Sequence, residues 1–191
     1  MYAGGIIVNA LKSYILRYLE EQAVRKMIFE VSADQIERLD QNQLVNLLGR
    51  LIHAELAKHD IPLRSGTAPT QITIPDGGDD GRVSWTGGPS ETNWLPSRFV
   101  IFQAKKGKTT PTGLKKEVWK KSSNKAAPEL SEAVEEVLQH GGSYIVVTAT
   151  PVVGTKVTNR ITKIREGITE AGGNPSLLSA IEIYDSNKIA S

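Results

Sequence analysis

The residue types that hydrolytic chemistry on a phosphate requires are concentrated in two short stretches. The first, Pro75-Asp76-Gly77-Gly78-Asp79-Asp80-Gly81-Arg82-Val83, is an acidic turn that opens a β-rich segment. The second, Arg98-Phe99-Val100-Ile101-Phe102-Gln103-Ala104-Lys105-Lys106-Gly107, is an apolar run that ends in a glutamine, a spacer and a lysine. Phosphodiester hydrolysis at neutral pH needs a cation to neutralise charge developing on the phosphate and to lower the pKa of an attacking water. Mg²⁺ does both with few protein carboxylates, and Mn²⁺ is expected to substitute for it. Asp80 is the expected central ligand, with Asp76 and Asp79 as the alternatives. Residues two apart on a strand project to the same face, which would stand Gln103 and Lys105 together at the strand's end beside Asp80. Gln103 offers only a neutral amide oxygen, and the Ala104 carbonyl would offer another. A second carboxylate is therefore wanted, and Glu55 on the preceding helix is the candidate. Lys105 would orient the water or stabilise charge on the phosphate.

Other readings of these stretches are weaker. Asp and Gly are the residues that tight turns favour, so the acidic run has a purely structural alternative. A calcium loop fails, because its bidentate glutamate would have to be Gly87. Gly107-Lys108-Thr109 ends like a phosphate-binding loop, but the first glycine of that pattern would have to be Phe102. His53, His59 and His140 have no metal-ligand spacing, and there is no Gly-x-Ser-x-Gly elbow. Glu55 has the alternative of a solvated helix residue.

The elements that must position these residues follow from periodicity. Asp40 is a good N-cap, and Leu44, Leu47, Leu48, Leu51, Ile52 and Leu56 keep a helical period until Ile61-Pro62. Glu55 falls at the edge of that apolar face. Thr70 to Pro75 and Arg82 to Thr86 read as a hairpin, and Phe99 to Phe102 as a central strand buried on both faces. Pro128 leads into a helix carrying Leu130, Ala133, Val134, Val137 and Leu138, ended by Gly141-Gly142. Tyr144 to Thr148 is a second buried strand, Thr155 to Ala171 a helix, and Ala180 to Tyr184 a last strand. Upstream, Asn9 to Gln22 has helical spacing, while Val24 to Ser32 suits helix or strand. The expected fold class is α/β, a mixed sheet with helices on both faces over residues 40–191, preceded by an N-terminal helical extension over 1–39.

At 191 residues with 39% hydrophobic content the chain suits one main domain with a real core. No apolar run approaches the roughly 18 residues of a membrane span, so no membrane partner is expected. The N-terminus lacks a basic secretory n-region and there is no cysteine, which makes the cytoplasm the expected location. The net charge of +2 hides a block of Lys105, Lys106, Lys108, Lys115, Lys116, Lys120, Lys121 and Lys125, opposed only by Glu117. Such a block is either a solvated face or a phosphate-facing one; in the second case Lys106, Lys108, Lys115, Lys116, Lys120 and Lys121 would bind nucleic acid without sequence choice.

Asp80 followed by Gln103-Ala104-Lys105, on this element order, resembles the PD-(D/E)XK restriction-endonuclease superfamily, and the glutamine places it nearest the Mrr-like branch. The Asp-Gly-Gly-Asp-Asp-Gly-Arg-Val stretch is also similar to the Asp-Gly-Gly-x-Asp pattern of nuclease domains at the N-termini of bacterial antiphage proteins. The resemblance runs from Asp40 to Tyr184. It implies an αβββαβ core and metal-dependent cleavage of double-stranded DNA, with Glu55, Asp80, Gln103 and Lys105 at the matching positions. It further implies an NTPase or sensor module C-terminal to the domain, in a longer protein that acts as a homo-oligomer. RNA or branched DNA would be served by the same residues. A fold of this kind that only binds nucleic acid or a partner protein, without cutting, is the alternative.

Overall fold

A computed structural model describes residues 31–68, 79–120 and 127–191 of the chain. The expected helix from Asn9 to Gln22, the strand from Thr70 to Pro75, residues Asp76, Gly77 and Gly78, and Lys121 and Lys125 lie outside the described residues, as does nearly all of the ambiguous Val24 to Ser32 segment.

Two capping boxes start the fold. Ser32 and Gln35 exchange side-chain and main-chain hydrogen bonds to open helix α1 (Ala33–Glu37), and Asp40 and Gln43 do the same for helix α2 (Gln41–Lys58). Each box satisfies N–H groups that a helix start leaves unpaired. The apolar stripe Leu44, Val45, Leu48, Ile52 and Leu56 of α2 is buried, as its period requires. Residues 31–39, assigned by sequence to an extension, include Ile36, which is buried in the same core cluster as that stripe.

The described residues form a five-stranded mixed sheet in the order β1 (Gly66–Thr67), β2 (Gly81–Ser84), β3 (Phe99–Lys105), β4 (Ser143–Thr148) and β5 (Ala180–Tyr184). β1, β2 and β3 pair antiparallel, with Gly81 opposite Phe102, while β3, β4 and β5 are parallel, with Gln103 opposite Val146. The near-continuous apolar runs of β3 and β4 follow from this, because central parallel strands are covered on both faces.

Side-chain alternation divides the core into two layers. On one face Val83, Val100, Phe102, Ala104, Ile145 and Val147 pack with α1, α2 and the last helix, α6 (Ser186–Ala190). On the other, Ile101, Tyr144, Val146, Ile181 and Ile183 pack with α3 (Pro111–Glu117), α4 (Glu132–Gln139) and α5 (Thr155–Glu170).

Two differences from expectation have local causes. The helix expected from Pro128 begins at Glu132 under a Ser131 cap, because Leu130 is taken into a bridge with Trp119. Part of the lysine block is itself helical, since Thr110 caps α3, Pro111 occupies its first turn, and Leu114 and Val118 are buried one turn apart. No helix among the described residues is long and apolar enough to cross a membrane.

Candidate active site

The site begins at the meeting of β2 and β3. The Asp80 N–H donates to the Phe102 carbonyl at 2.8 Å, one step beyond Gly81, which sets the Asp80 side chain beside Gln103. Asp80 Oδ2 then accepts two hydrogen bonds, from Gln103 Nε2 at 2.6 Å and from the Ala104 N–H at 2.8 Å. Gly81 lets α2 pack closely on the sheet at this point, since a side chain there would press on Leu48, Ile52 and Phe102.

Lys105 projects to the same face as Gln103, and its Nζ lies 2.7 Å from Glu117 Oε2 at the C-terminal end of α3. Across the strand, Gln41 at the first turn of α2 donates from Nε2 to the Ala104 carbonyl and accepts from the Lys106 N–H, both at 2.9 Å. The helix start is thereby tied to the end of β3. Gln41 was not singled out by sequence reasoning, although its spacing from Leu44 and Leu48 puts it on the stripe that faces the sheet.

The structure thus brings Asp80, Gln103, Ala104 and Lys105 together, and it does not bring Glu55 to them. Glu55 shares a helix face with Gln41 but stands fourteen residues further on, about 21 Å along the axis. It also belongs to the layer on the opposite side of the sheet from Gln103. Its near neighbours are His59, whose Nε2 is 3.3 Å from Glu55 Oε1, and Lys58 at 3.9 Å. Of the alternative ligands, Asp79 is bound to Arg82 Nε at 2.9 Å, and Arg82 reaches on to Glu136 of α4 at 2.6 Å. Burial opposes the Arg82 charge, but its hydrogen bonds to Asp79 and Glu136 and their negative charges raise its pKa overall.

One further group faces this layer. Tyr144 of β4 is buried, and its hydroxyl has no hydrogen-bond partner among the described residues. Burial raises its pKa, and the charges of Glu117 and Asp80 raise it further.

The donors at the end of β3 fit a hard cation. Asp80 supplies a carboxylate, Gln103 an amide oxygen, and Ala104 a carbonyl that also accepts from Gln41 Nε2. A set of oxygens with one carboxylate suits Mg²⁺ or Mn²⁺ completed by water, and lacks the nitrogen and sulfur ligands that favour zinc.

Of the lysines, Lys106, Lys108, Lys116 and Lys120 are exposed, whereas Lys115 is bound to Glu170 of α5 at 2.6 Å. The loop between them is fixed by Arg160, which donates to the Thr109 carbonyl from Nε at 3.0 Å. Comparison with protein-family models, with curated proteins and with solved structures gives no match.

Proposed function

We propose that this chain is a Mg²⁺-dependent endonuclease domain that hydrolyses phosphodiester bonds in double-stranded DNA, with a restriction-endonuclease-like core of the Mrr-like kind. The observation that carries the reading is the convergence of Asp80, Gln103 and the Ala104 carbonyl at one strand end, with Lys105 following on the same face. Asp80, Gln103 and the Ala104 carbonyl would hold the cation. When bound, it supplies charge neutralisation at the phosphate and a more acidic water.

The remaining work falls to the chain's own groups. Lys105 stabilises negative charge on the phosphate or orients the nucleophile, which requires exchange of Glu117 for substrate. Gln41 holds the Ala104 carbonyl and the Lys106 N–H in place. The exposed Lys106, Lys108, Lys116 and Lys120, beside Lys105, give a surface for the DNA backbone that carries no sequence choice. Within a longer protein this domain would be the effector of bacterial antiphage defence, in the cytoplasm, switched by a C-terminal NTPase or sensor module and active as a homo-oligomer.

Nicking of supercoiled plasmid by the purified chain in Mg²⁺, beside Asp80→Ala and Lys105→Ala, tests the assignment. Activity in the first alone is expected, and equal activity in all three contradicts it. A second reading, a module that binds without cutting, draws on the closed Lys105 to Glu117 ion pair. Salt-sensitive DNA binding with no cleavage in any divalent metal would favour it.

A further inference from the structure

Asp80 is the only carboxylate so far placed at the strand end, and Glu55 lies on the other side of the sheet. Glu117 lies on the correct side. It closes a continuous polar line on one face, from Asp80 to Gln103 at 2.6 Å, along β3 to Lys105, and from Lys105 to Glu117 at 2.7 Å. Its helix is held firmly. Leu114 and Val118 are buried, Trp119 Nε1 donates to the Gly167 carbonyl at 2.8 Å, and Gly167 gives α3 a close approach that a side chain would block.

An independent observation points to a ligand. The Tyr144 hydroxyl, on a residue only 2% exposed, has no partner among the described residues, whereas buried hydroxyls normally have one. Tyr144 stands on the same sheet face, one strand over, and the charges that act on it are those of Glu117 and Asp80.

We propose that Glu117 is the second carboxylate of a divalent-cation site with Asp80, with the Tyr144 hydroxyl turned toward it and the Lys105 ammonium as its occupant in the resting state. Cation binding then displaces Lys105 from Glu117 and frees it for phosphate. The proposal rests on the endonuclease reading and names a ligand that the reading lacks.

The test is Mn²⁺ binding to the full chain, followed by electron paramagnetic resonance, with folding checked by circular dichroism. Glu117→Gln should weaken binding at least tenfold, Asp80→Asn should abolish it, and Lys105→Gln should tighten it severalfold. Because Glu117→Gln strands the Lys105 charge, the same substitution is also made in the Lys105→Gln background, where a tenfold loss is again expected. Binding unchanged by Glu117→Gln in both backgrounds, but abolished by Asp80→Asn, overturns the role of Glu117 and leaves the endonuclease reading standing. Loss on Glu55→Gln in place of Glu117→Gln also overturns it. Wild-type chain that binds no Mn²⁺, or binding indifferent to Asp80→Asn, overturns both.

Discussion

Asp80 and Gln103 meet side chain to side chain at 2.6 Å across the β2 and β3 pair, and the same Asp80 oxygen takes the Ala104 N–H at 2.8 Å. A carboxylate that accepts both bonds does structural and chemical work at once. Asp80→Ala leaves the Gln103 amide and the Ala104 N–H without their acceptor, which costs about 1–3 kcal/mol if they remain buried. Urea denaturation should show that loss, together with abolished plasmid cleavage. Asp80→Asn, whose amide oxygen can still accept both bonds, should lose less stability and as much cleavage.

Gln41 ties α2 to the end of β3 through two bonds of 2.9 Å each. Replacing it with leucine keeps helix propensity but removes both, and should cost about 1–3 kcal/mol in chemical denaturation. The Ala104 carbonyl loses its anchor in the same step. Cleavage should therefore fall further than stability alone accounts for, measured at a temperature where the variant is fully folded.

The exposed lysines predict a salt dependence. Each phosphate contact contributes a slope of about −0.9 to log Kobs against log salt on duplex DNA. Lys116→Ala with Lys120→Ala should flatten the slope by about 1.8 if both touch phosphate. Lys115, already bound to Glu170, should change it less. A fluorescence anisotropy titration at several salt concentrations reads both.

Alkaline pH should destabilise the fold through Tyr184. Burial raises its pKa well above the ordinary value, and the negative charges of Glu182 and Glu55 add to the rise. In the unfolded chain tyrosine ionises near pH 10. The contribution of Tyr184 is thus whole below about pH 10 and is lost as pH climbs from there toward its folded pKa, because only the unfolded state releases the proton readily. Tyr184→Phe should lower stability at neutral pH, since Trp94 O loses its donor at 3.1 Å, and should give a flatter alkaline limb in denaturation measured from pH 8 to 11.

Much of this arrangement is legible in the sequence. The Asp40 cap and the leucine stripe located α2, the continuous apolar runs located β3 and β4, and strand alternation put Gln103 and Lys105 on one face. Glu55 shows where periodicity stops. Its spacing places it on the buried stripe of α2, and it is buried, but spacing within one helix does not say which side of the sheet that helix covers. That depends on how the chain crosses between strands. The lysine block shows a different limit. Thr110, Pro111 and the Leu114 to Val118 spacing already spelled a capped helix, and charge drew the reading to a surface instead. With α3 unread, Glu117 counted only as a break in the positive run.

The central claim is that a divalent cation sits at Asp80 and Gln103. A crystal of the chain grown or soaked with Mn²⁺ and measured at a wavelength where manganese scatters anomalously tests it most directly. The account predicts an anomalous peak in coordination contact with the Asp80 carboxylate, at the end of β3 beside Gln103 and Ala104. A peak elsewhere on the molecule, with none at Asp80, would contradict it.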